Sequence, residues 1–144
     1  MIGMKFKRMF FTSKAVLSAT DRATRRVFSK FGAYVRRAAK SSIRKRKAIS
    51  APGKPPSSHT GLLKRFILFG YDPAKRSVVI GPLRLTRRGR GDAPQALEEG
   101  GTSRMVRRGR KKRVKIKARP FMGRAMRKTP IVPLWRDSIR EKGA

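Results

Sequence analysis

"MVRRGRKKRVKIKARPFMGRAM", residues 105–126, is the stretch on which the fold turns. Nine of the thirteen residues from Arg107 to Arg119 are Lys or Arg. A basic tail would need no further order, yet Val114, Ile116 and Ala118 alternate with Arg113, Lys115, Lys117 and Arg119. A period of two describes a strand with one apolar face and one basic face. Arg108-Gly109-Arg110 supplies a turn, so 102–107 and 111–118 are expected to pair as a hairpin. "RPFMGRAMRK", 119–128, then opens a helix, with Pro120 in its first turn and Phe121 and Met122 facing inward.

Upstream, "PQALEEGG" (94–101) reads as a short helix closed by Gly100. "LRLTRRGRGDAP" (83–94) is a basic, Gly-containing loop. "GLLKRFILFGYDPAKRSVVIGP" (61–82) reads as a helical turn followed by a hairpin. Its strands fall near 65–71 and 77–81, with Asp72-Pro73-Ala74-Lys75 as the turn. "AISAPGKPPSSHTG" (48–61), with three Pro and two Gly, is a loop. Before it, residues 13–46 carry a helical stripe: Ala23, Val27, Phe31, Tyr34, Val35, Ala38 and Ala39. Thr12 or Ser13 can cap this helix, and "RKRK" at 44–47 would meet the negative end of its dipole. Gly32 allows a bend or close packing. A last helix is expected over 133–142, with Pro133 in its first turn.

This order gives an α+β fold: a long N-terminal helix packed on a small antiparallel sheet of two hairpins, with C-terminal helices. One domain spans 13–128. Residues 1–12 form a basic-hydrophobic arm with Phe6, Met9, Phe10 and Phe11, and 129–144 a C-terminal helical extension. Both terminal segments are expected to order on contact with neighbours.

Charge sets the class of partner. Forty Lys and Arg face seven Asp and Glu over 144 residues, a formal net charge of +33. Such a chain repels itself unless something supplies counter-charge. The charge is not confined to one tail, because residues 1–50 hold fifteen bases and residues 101–144 hold sixteen. The absence of Cys excludes disulfides, zinc–thiolate sites and a thiol nucleophile. The single His, His59, lies beside Ser57 and Ser58, and sequence neighbours do not make a triad. Glu98 and Glu99 are adjacent and cannot face one another on a helix; a local Arg or an interface is their expected partner. "GPLRLTRRGRG" has no Lys-Ser/Thr at a helix start and is not a phosphate loop. No enzyme activity, cofactor, metal or small-molecule substrate is expected. The apolar runs are too short to span a bilayer, and "MIGMKFKRMFF" lacks the apolar core and cleavage site of a signal peptide, so no membrane partner is expected.

Basic residues remain as the chemistry. The candidates are Arg87, Arg88 and Arg90 in the loop; Arg107, Arg108, Arg110, Lys111 and Lys112 around the turn; and Arg113, Lys115 and Lys117 on the strand. Arg donates two hydrogen bonds to phosphate from a planar fork. With no helix-turn-helix, zinc-finger or stacking motif, contact is expected with the nucleic-acid backbone, indifferent to sequence.

Four segments occur in a particular order: "SAPGKPPSSHTGLLKRFILFGYD" (50–72), "SVVIGP" (77–82), "ALEEGGT" (96–102) and "KARPFMGRAM" (117–126). Together they resemble the neck or tail-completion family of tailed bacteriophages, the minor tail or virion morphogenesis proteins. The likeness covers about 13–128. Its motif residues here are Thr60, Gly61, Leu62, Glu98, Gly100, Gly101, Arg119, Pro120 and Phe121. All are expected to be structural: Thr60-Gly61 capping a turn that sends Leu62 and Leu63 into the core, and the paired glycines reversing the chain. The resemblance implies a homo-oligomeric ring in the head-to-tail connector of a virion, made in the host cytoplasm. It implies neighbouring connector, head-closure or tail-terminator proteins, and double-stranded DNA held non-specifically. A basic face lining the DNA channel or meeting an acidic neighbour would both satisfy it. The charge exceeds what the family leads one to expect. The alternative is a free, sequence-independent nucleic-acid-binding protein of architectural or ribosomal style. A membrane-active protein fits less well, because three of the seven stripe positions are Ala.

Overall fold

The structure, a computed structural model, describes residues 13–83, 93–107 and 109–140. The arm at 1–12 and the basic loop at 84–92 lie outside the described residues, as does Arg108. Among the described residues, nine elements follow in order: α1 (Ser13–Ser42), α2 (Leu62–Arg65), β1 (Ile67–Asp72), β2 (Ser77–Pro82), α3 (Ala93–Glu99), β3 (Gly101–Arg107), β4 (Arg110–Ile116), α4 (Met122–Lys128) and α5 (Val132–Arg140). This is the α+β arrangement expected, with the two hairpins as separate two-stranded sheets.

Helix α1 is the axis of the molecule. Thr24, Val27, Phe31, Val35 and Ala39 are buried along it at spacings of three and four, and Ile43 continues the line just past its end. Tyr34 does not join them: it is 48% exposed, because the stripe already passes through its neighbour Val35. The helix stops at Ser42, short of the basic run. The hydroxyls of Ser41 and Ser42 donate to the carbonyls of Ala38 and Ala39, and Arg44 forms a parallel bridge with Ser57. Hydroxyl back-bonding competes with helix continuation. The four cations at 44–47 are therefore exposed beyond the helix, with only Lys40 in the last turn.

The β1–β2 hairpin lies across α1. Asp72 Oδ1 accepts from the N–H groups of Ala74 and Lys75, which fixes the turn. Ile67 is fully buried, Val78 and Ile80 pack beside it, and Arg36 Nε donates to the Ile67 carbonyl at 2.9 Å. Gly32 is a contact point. A Cβ there would lie 2.6 Å from Phe69 Cδ2 and 2.9 Å from Val78 Cγ2, so close packing rather than a bend is its role. Phe28 stacks on Tyr71 and meets Trp135 edge-on, joining α1 to β1 and to α5.

Helices α4 and α5 close the core with Phe121, Ala125, Ile131 and Leu134. Helix α5 is thus packed on α1, where Trp135 meets Phe28. At α2 the outcome is mixed. Leu63 is buried, but Leu62 is 44% exposed. Thr60 Oγ1 accepts weakly from Leu62 N–H at 3.4 Å, while Gly61, at φ 77°, sits where the chain must turn left-handed.

Candidate nucleic-acid interface

The β3–β4 hairpin pairs Gly101 with Ile116 at its base and Arg107 with Arg110 at its tip. Val114 and Ile116 are half-buried and Lys115 and Lys117 exposed, as alternation requires. One correction applies: the strand ends at Ile116 and not at 118. Toward the tip, Arg110, Lys111, Lys112 and Arg113 are all exposed. The outer half of β4 therefore has no buried face, because the hairpin has outrun the elements that could cover one.

Lys111, Lys112, Arg113, Lys115 and Lys117, with Arg110, form one exposed basic stretch. Arg107 belongs to β3, but its side chain lies outside the described residues, as do Arg87, Arg88, Arg90 and Arg108. The register places Arg104 opposite Arg113 and Arg107 opposite Arg110.

Arg119 is not part of this surface. It is half-buried, its Nε donates to the Ser50 carbonyl at 3.0 Å, and its Nη1 donates to the Lys117 carbonyl at 3.1 Å. Its backbone N–H donates to the Leu97 carbonyl at 2.6 Å, and Gly53 N–H to the Ala118 carbonyl at 2.8 Å. The base of the hairpin is thereby tied to α3 and to the Pro-rich loop. Pro120 precedes α4 rather than entering its first turn; Phe121 is the cap residue, and its side chain is 1% exposed.

Glu98 holds this corner together. Its carboxylate accepts from the backbone N–H groups of Phe121, Met122 and Gly123 at 2.9, 3.0 and 2.8 Å. These are donors that a helix start leaves unpaired. The local Arg expected as its partner is therefore replaced by the α4 backbone. A signal was present: "ARPFMGRAM" offers no Ser, Thr, Asp or Asn at the start of α4, so an acceptor had to come from elsewhere. Gly100 turns the chain beside it at φ 82°, where a Cβ would lie 3.1 Å from the Ala118 nitrogen, and Gly101 follows at φ 131°. Glu99 is exposed and receives Gln95 Nε2 at 3.4 Å.

Among the described residues there is no cluster of His, Asp or Glu able to hold a metal, and no helix is long and apolar enough to cross a membrane. Compared with known proteins, the chain matches no family model, and no curated protein or solved structure is significantly similar to it.

Proposed function

We propose that this chain is a structural virion protein of a tailed phage, one subunit of a ring in the head-to-tail connector. Its β3–β4 hairpin contacts genomic DNA through the phosphate backbone. The observation that carries the DNA contact is the exposed basic row of Arg110, Lys111, Lys112, Arg113, Lys115 and Lys117. Such a concentration of like charge is stabilised when a polyanion neutralises it. The place in a connector is supported by the four ordered motifs alone. Nothing in the row selects a base sequence, which suits a passage for any genome.

The same hairpin also favours a free, sequence-independent nucleic-acid-binding protein. Disrupting the gene in its own genome and viewing the lysate by electron microscopy separates the two. Filled heads with unattached tails, or joined particles that leak DNA, are expected of a connector part; normal infectious particles leave the free binder. For the contact itself, a random-sequence duplex titrated against salt should give a slope of about −5 if about six phosphates are neutralised. Lys112→Glu with Lys115→Glu should make that slope shallower by about 2. An unchanged slope would remove the hairpin from the interface.

A further inference from the structure

A second basic region lies away from the hairpin. The end of α1, the segment after it, the Pro-rich loop and α4 enclose a half-open groove of about 890 Å³. Six cations line it: Arg44, Arg46, Lys54, Arg124, Arg127 and Lys128. Among the described residues no acid lines it, and none of these six is paired with a carboxylate. All six are exposed. Between them the walls mix the apolar groups of Ala38, Pro55, Pro56, Phe121 and Ala125 with the hydroxyl-bearing Ser41, Ser42 and Ser57.

The groove is held open by its own backbone. Arg44 bridges to Ser57, Ser58 N–H donates to the Arg44 carbonyl at 3.0 Å, and Ser57 Oγ donates to the Ala48 carbonyl at 2.6 Å. Gly53 N–H reaches the Ala118 carbonyl. Two prolines stiffen the wall between these ties. A preformed concave site binds without the cost of ordering its walls.

We propose that this groove receives an acidic segment of a different protein, one that carries bulky apolar side chains between its carboxylates. The cationic rim calls for anions, and the apolar part of the walls offers contact to a side chain that a phosphodiester backbone does not have. A second copy of this chain is a poor occupant. It has seven acids, of which Glu98 is spent on the α4 backbone and Asp21 faces Arg76, and no acidic run is longer than Glu98-Glu99. The proposal goes beyond the connector reading and does not depend on it.

The test uses the full chain and a labelled peptide, Asp-Glu-Leu-Asp-Glu-Phe-Asp-Glu, followed by fluorescence anisotropy. Arg124→Glu with Arg127→Glu should weaken binding by about tenfold or more, while the charge-matched Lys112→Glu with Lys115→Glu on β4 should change it less than about threefold. Replacing Leu and Phe of the peptide by Ser should weaken binding by about tenfold at equal charge. Arg44→Glu with Arg46→Glu repeats the test outside any helix, and thermal melts monitor folding of each variant. Equal losses from the groove and β4 pairs, or equal binding of the Ser peptide, would mean attraction by net charge alone and would overturn the proposal. Groove variants that lose random-sequence duplex DNA but keep the peptide would also overturn it, in favour of nucleic acid.

Discussion

In the β1–β2 hairpin, Ile67 is fully buried and Phe69 and Val78 press on Gly32 of the long helix; in the β3–β4 hairpin, the four residues from Arg110 to Arg113 all face water. Both are antiparallel pairs of comparable length. The first gains its stability by covering α1, so its side chains are set by packing. The second leaves the body after its base, and its side chains are set by charge. Identical backbone pairing therefore serves two ends: one hairpin is packed on the body, and the other is, as proposed, turned toward a partner. The difference predicts that substitutions in the first hairpin change stability and substitutions in the second change binding.

The sharpest way to break that contrast is Ile67→Ala. Removing a fully buried side chain should cost about 2–5 kcal/mol, read as a lower midpoint in urea. Lys115→Thr on the exposed row of β4 should stay within about 0.5 kcal/mol of the parent. Similar losses from the two would show the second hairpin to be part of the core.

Glu98→Ala tests the joint between the regions. One carboxylate satisfies three backbone donors at the start of α4, so its loss should cost about 2–3 kcal/mol. Hydrogen exchange should quicken at Phe121, Met122 and Gly123 before it quickens in β1. Glu98→Gln keeps an acceptor and should lose less. If α4 amides exchange unchanged in the Ala variant, the cap is not what holds that corner.

Gly32→Ala comes next. The added Cβ would overlap the Phe69 ring, and overpacking of this kind costs about 1–3 kcal/mol. Phe69→Leu added to Gly32→Ala should recover part of the loss. Without recovery, the glycine's role is conformational and not steric.

Much of this was legible because it is local. The stripe through Val27, Phe31, Val35 and Ala39, the Asp72 turn and the alternation at Val114 and Ile116 each follow from residues within a few positions of one another. Gly32 showed only that something close would pass, and Phe69 and Val78 could not be named. For Glu98 a local Arg or an interface was expected, because its backbone partners lie 23 to 25 residues away and the uncapped start of α4 did not say which acceptor would reach it. The end of α1 was overrun for a related reason: Arg44 to Lys47 are good helix formers, and the bridge to Ser57 that claims the backbone there is a tertiary event. The basic groove escaped notice because its cations come from three separate segments.

The smallest effect concerns a cation on the packed side of the molecule. Lys40 is partly buried in the last turn of α1. Burial, then the neighbouring charges of Arg36 and Lys64, push its pKa below the ordinary lysine range. The folded state therefore binds this proton less tightly than the unfolded state does. Below the lowered value Lys40 is charged in both states and the folded protein carries the full penalty. As pH rises from that value to the ordinary lysine value, the unfolded chain holds more proton, and stability increases. Lys40→Met should raise the melting temperature slightly at neutral pH and lose that increment on the alkaline side. Lys45→Met, on the exposed segment after α1, is the control that removes the same formal charge without the burial. Melts of the three proteins at fixed ionic strength from neutral to alkaline pH decide the matter. If Lys40→Met and Lys45→Met track each other at every pH, the effect is one of net charge and not of where Lys40 sits. If they converge only when Lys40 has lost its proton, position is the cause, and the packed side of the molecule carries part of its charge at a cost to its own fold.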